Sequence, residues 1–171
     1  MNEVQARKPS EPFIIRPKRP FDPSLVDANA TIWRGRTRGS GNAGLWEVDE
    51  RSLEIPAFDV SQFVLYESPR GKGSFGEAIH AQLEEKRSEL IRVDPTVALA
   101  LAMAPDKWLP AWNELVLFFD GITMRNARGQ RSSVYAYKKN GEVRVRLRVL
   151  NVPRETNCRS VLYPTTALRS A

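Results

Sequence analysis

The sequence predicts an α+β domain: a mainly antiparallel sheet, open or closed into a barrel, with two or three helices inserted. Three observations predict it. Asn140-Gly141 lies between two alternating runs, Ser133-Val-Tyr-Ala-Tyr-Lys-Lys139 and Glu142-Val-Arg-Val-Arg-Leu-Arg-Val-Leu150. Both residues tolerate the positive φ of a tight reversal, which makes this the strongest short-range hairpin signal. Upstream, short apolar runs at Thr31-Ile-Trp33, Leu45-Trp-Glu-Val48 and Gln62-Phe-Val-Leu-Tyr66 have strand character. Between these runs and the hairpin, two stretches beginning near Phe75 and Asp94 carry helical signatures.

In chain order, residues 1–27 read as an arm. Pro9, Pro12, Pro17, Pro20 and Pro23 prevent helix and favour extended backbone, while Phe13-Ile-Ile15 and Phe21 offer anchors. The single domain spans 28–163, followed by a Ser/Thr-rich tail over 164–171. After Trp33 comes Arg34-Gly-Arg-Thr-Arg-Gly-Ser-Gly41, a basic loop suited to following a phosphate backbone. Arg51 to Phe58 reads as a strand with Leu53 and Ile55 inward.

Gly71-Lys-Gly-Ser-Phe-Gly76 is a literal G-x-G-x-x-G. By letters, Gly71 to Glu77 is similar to the Gly-rich loop of protein kinases. The strand and lysine that must follow are replaced by a helical pattern, and the catalytic and metal-binding Asp motifs are absent, so that reading fails. A dinucleotide-binding turn has the right order of elements, with Asp94 at the distance of a ribose partner. Glu67-Ser-Pro-Arg70, however, separates strand from first glycine, where the motif needs an immediate turn. Ser74 and Glu77 form a capping box, a simpler account of the same letters. Nucleotide binding through Gly71–Gly76 is thus a minor alternative.

A helix is expected from Phe75 to Ile91, with Ile79, Leu83 and Leu90 on one side and His80, the only histidine, at the surface. Asp94-Pro95 starts a second helix, almost wholly apolar through Met103 and therefore buried. Trp108 and Trp112 recur at helical spacing, as core. Leu115-Val-Leu-Phe-Phe119 is helix or strand, Asp120-Gly121 marks a turn, and Arg159 to Tyr163 forms a last strand.

Composition bounds the function. The chain has 171 residues, 42% hydrophobic and 27% charged, as in an ordinary globular domain. No apolar run approaches membrane length and Met1 to Pro20 lacks a secretory core, so a cytosolic location, in a cell or a virus-infected host, is expected. Cys158 is the only cysteine, which excludes an internal disulfide and a multi-cysteine metal site. A single histidine supports no Ser-His-Asp set, and pairs such as Asp49-Glu50 and Glu84-Glu85 read as solvated. No cofactor is implied. Dispersed carboxylates can still gather a Mg²⁺ site, so a nuclease stays open.

Charge is uneven. Residues 1–72 balance at +1, residues 73–120 at −4 and residues 121–171 at +9. Positive charge collected on one part of a chain is the footprint of a polyanion binder. The expected phosphate contacts are Arg144, Arg146 and Arg148, with Arg125, Arg128, Arg131, Lys138, Lys139, Arg34, Arg36 and Arg38 in support. Tyr135, Tyr137 and Trp33 would stack on bases. A two-residue turn puts Tyr137 across from Arg144 and Tyr135 from Arg146, whereas a three-residue loop turns both rings toward the valines. The sequence leaves both registers open. The expected function is non-catalytic binding of single-stranded DNA or RNA. The competing expectation is an assembly protein of a larger viral or ribonucleoprotein complex, its arms holding neighbouring subunits.

Overall fold

In a computed structural model that describes residues 13–33, 48–67 and 76–169, the centre of the molecule is a seven-stranded mixed sheet. The strands are β1 (Ile14–Ile15), β2 (Thr31–Ile32), β3 (Phe58–Asp59), β4 (Val64–Glu67), β5 (Leu90–Arg92), β6 (Val116–Arg125), β7 (Arg131–Lys139), β8 (Glu142–Val149) and β9 (Cys158–Pro164). Three α-helices occur among the described residues: α1 (Glu50–Glu54), α2 (Gly76–Glu85) and α3 (Pro95–Met103).

The main path runs β4-β9-β6-β7-β8, with β2 added beside β6 and β5 beside β9. Only β6 and β9 are parallel; the other pairings are antiparallel. The sheet is not closed, so the expectation narrows to an open α+β fold. The last strand, β9, lies in the middle, between β4 and β6. β1 and β3 form a separate two-stranded pair that holds the N-terminal segment on the body.

Each face of the sheet has its own cover. On one face Leu117, Phe119, Val134, Ala136 and Val143 pack with Val97, Ala98 and Leu101 of α3. Asp94 caps that helix by accepting from the Thr96 amide at 3.0 Å, and Pro95 occupies its first turn. On the other face Ile79 and Leu83 of α2 close over Leu162, flanked by Tyr66 and Leu90.

Several expectations are corrected here. Arg51–Phe58 is not one strand: residues 50–54 are helical, because Ser52 is drawn inward to donate to Asp94 at 2.5 Å. Asp49 is 2% exposed rather than solvated and is bonded to Arg51 at 2.7 and 2.8 Å. The helix begun near residue 75 ends at Glu85, and Leu90–Arg92 instead pairs with β9. Trp112 ends one short 3-10 turn and Trp108 follows another, so the two share no helix, although both are buried, edge to face at 5.6 Å. Asp120-Gly121 is no turn but the middle of β6, where the pairing with β7 shifts register. From residue 13 onward the N-terminal segment lies on the domain, burying Ile15 and Phe21. Arg19 secures it through Asp94 at 3.2 Å and the Ser52 and Ile55 carbonyls at 2.9 and 3.2 Å.

Candidate nucleic-acid interface

The β7–β8 turn has two residues. Asn140 and Gly141 have φ of 53° and 81°, and Lys139 pairs directly with Glu142. Both positive angles belong to the turn whose twist matches a hairpin. This register places Tyr137 opposite Arg144, Tyr135 opposite Arg146 and Ser133 opposite Arg148. Tyrosines and arginines therefore share one face, with Val134, Ala136, Val145 and Leu147 on the other.

The aromatic row extends beyond the hairpin. Tyr135 and Tyr137 stack at 6.0 Å between centroids, 20° from parallel, and Phe118 on β6 lies 5.5 Å from Tyr135. The Arg154 guanidinium sits 3.6 Å above Phe118. Arg146 is exposed and, among the described residues, its one hydrogen bond goes to the Val145 carbonyl. Arg144 pairs loosely with exposed Glu142 at 3.4 Å. Arg148 donates to the Pro153 carbonyl at 2.8 Å and lies 3.9 Å from Glu155. Such exposed pairs are worth about 0–1 kcal/mol.

Beneath the edge of this platform lies a buried polar hub absent from the sequence reading. Asp120, fully buried, accepts from Arg154 at 2.6 and 3.0 Å, Ser133 at 2.8 Å and Ser160 at 2.5 Å. His80 is not at the surface: it is 7% exposed and donates through Nε2 to Asp120 at 2.8 Å. Burial pushes the Asp120 carboxyl up, but the adjoining Arg154 charge and His80 outweigh it and hold the group well below the usual carboxylate range. The Ser133, His80 and Asp120 side chains meet without forming a proton relay. A relay needs Asp on one ring nitrogen and Ser on the other, whereas here Nε2 faces both, with Ser133 Oγ at 3.4 Å. The hub instead fixes Arg154 over Phe118. One signal for it was visible: Asp120 lies two residues after Phe118 in an apolar run, and a carboxylate buried in a sheet requires a cation.

The remaining expected residues separate into groups. Trp33, Arg125 and Arg131 form a second patch at the far end of β6 and β7, with guanidiniums 5.7 and 4.6 Å from the Trp33 ring. Arg131 also pairs with Glu77 at 2.5 Å. Buried Ser133, next on that face, separates this patch from Tyr135. Arg128 is exposed in the β6–β7 turn, and Lys139 beside Asn140. Lys138 points to the opposite face, its Nζ 3.4 Å from the Pro105 carbonyl. Arg34, Arg36 and Arg38, and Gly71–Phe75 of the Gly-rich motif, lie outside the described residues. Gly76, its last glycine, packs closely on Leu150: a Cβ there would meet the Leu150 Cδ2 at 2.7 Å and its Cα and carbonyl oxygen at 3.1 Å.

Cys158 is buried, and that burial pushes its thiol up. Among the described residues no three His, Cys, Asp or Glu side chains are grouped to hold a metal, and no helix is long and apolar enough to cross a membrane. Compared with protein-family models, curated proteins and solved structures, the chain matches none of them.

Proposed function

We propose that this protein is a non-catalytic binder of single-stranded nucleic acid, DNA or RNA, and that the open face of β7–β8 is its platform. The observation that carries the reading is the two-residue register, which puts a stacked Tyr135–Tyr137 pair beside Arg144, Arg146 and Arg148. Bases stack on aromatic faces regardless of identity, and a basic rim neutralises the backbone, so affinity comes without sequence readout. The Trp33–Arg125–Arg131 patch is a second contact on the same face. From residue 131 to residue 137 a strand spans roughly 20 Å, which a short single strand can bridge.

The assembly reading loses part of its motive, because Ile15 and Phe21, two of its expected anchors, are buried in the chain's own fold. Fluorescence anisotropy with a labelled single-stranded oligonucleotide tests the proposal. Tyr135→Ala with Tyr137→Ala should weaken binding by about 1–3 kcal/mol per lost base stack. Unchanged affinity in the double variant, or equal affinity for a duplex, contradicts the platform.

A further inference from the structure

The helix α3 carries no charged side chain, yet it is covered on one side only. Val97, Ala98 and Leu101 are buried against the sheet, whereas Leu99 and Ala100 are half-buried and Met103 is 87% exposed. The N-terminal segment runs alongside this outer face and leaves a half-open groove of about 850 Å³. Its walls are apolar, from Ile14, Leu25, Leu99, Ala100 and Met103, and Arg16, Lys18 and Lys107 stand around it. Among the described residues the one acid lining the groove, Asp22, is engaged by the Ser24 amide at 2.9 Å and hydroxyl at 2.7 Å.

We propose that this groove binds a free single-chain anionic amphiphile: an alkyl or acyl chain ending in a carboxylate, phosphate or sulfate. Volume and lining match a small-molecule site, predominantly apolar with a few polar groups that fix orientation. The flexible, polarizable Met103 is the residue type that adapts to such a chain. Charge decides the head group, because the cations at the rim exceed the single engaged acid. The chain's own first twelve residues are a poor occupant. Val4 and Met1 are their only large apolar side chains, and Glu3 and Glu11 are balanced by Arg7 and Lys8, so they offer neither a long apolar chain nor a net negative head. A bilayer is also disfavoured, since a concave wall admits a single chain better than a flat surface. The groove lies outside α3, against the opposite face of the sheet from Tyr135, so the proposal stands apart from the nucleic-acid reading.

Methionine-methyl NMR provides the test, because Met103 lines the groove and Met124 is fully buried in the core. Decyl phosphate or decanoate, below its micelle concentration, should shift the Met103 methyl resonance saturably and leave Met124 unmoved. Ala100→Trp should abolish the shift. Should that variant fail to fold, Arg16→Glu with Lys18→Glu, on exposed side chains, should weaken binding about tenfold. Four results would overturn the proposal: no saturable shift, equal binding of decyltrimethylammonium, binding to anionic vesicles alone, or a concentration-dependent dimer that fills the groove instead.

Discussion

Asp120 sets the geometry of its whole neighbourhood. It holds Arg154, Ser133, Ser160 and His80 with one buried carboxylate. Removing its charge leaves the Arg154 guanidinium, itself buried, without a counterion. Asp120→Asn should therefore cost about 3–5 kcal/mol, read as a lower urea midpoint. The carboxyl sits well below its ordinary value of 3.8 in the folded state, so its contribution is complete above that value. As pH falls through the unfolded value towards the folded one, the unfolded chain takes up a proton that the folded chain refuses, and stability drops. Wild type should lose stability between about pH 5 and pH 3, and Asp120→Asn should lose distinctly less over the same interval. Equal loss in both would place the acid sensitivity elsewhere.

At the scale of elements, the hairpin was the most legible part of the chain because its signal is local. Asn140-Gly141 and the alternation beside it determine a reversal without reference to anything distant. The register stayed open because a two- and a three-residue loop suit the same letters; pairing of Lys139 with Glu142 closes it. Gly141→Val should cost about 1–2 kcal/mol, since a branched side chain resists φ of +81°. Asp120-Gly121 carries equally strong turn letters yet forms no turn. Its partners, Arg154 and Ser160, come 34 and 40 residues later and hold it inside β6. Gly121 is required there for close approach: an added Cβ would lie 2.5 Å from the Arg92 carbonyl oxygen and 2.7 Å from the Asp94 nitrogen. Gly121→Ala should destabilise by about 1–3 kcal/mol or more, as overpacking against backbone does. The helix α1 was missed for a similar reason, since the Ser52–Asp94 bond spans 42 residues. Nor does sequence order tell that the final strand belongs at the centre.

For the whole molecule, the charge count from sequence located the basic region, and the fold decides which of its charges reach solvent. Arg154 is spent internally, and Lys138 lies on the far face. Arg144, Arg146 and Arg148 keep company with two stacked tyrosines, and among the described residues their partners are the Val145 and Pro153 carbonyls and the exposed carboxylates of Glu142 and Glu155. The most direct test is the salt dependence of binding to a labelled single-stranded oligonucleotide, for wild type and for Arg144→Ala with Arg146→Ala. Affinity should fall steeply with salt, and the double variant should reduce the slope of log K against log salt by roughly 0.7 per lost phosphate contact. A binding signal indifferent to salt, or a slope unchanged in the double variant, would contradict the assignment of this face to a polyanionic strand.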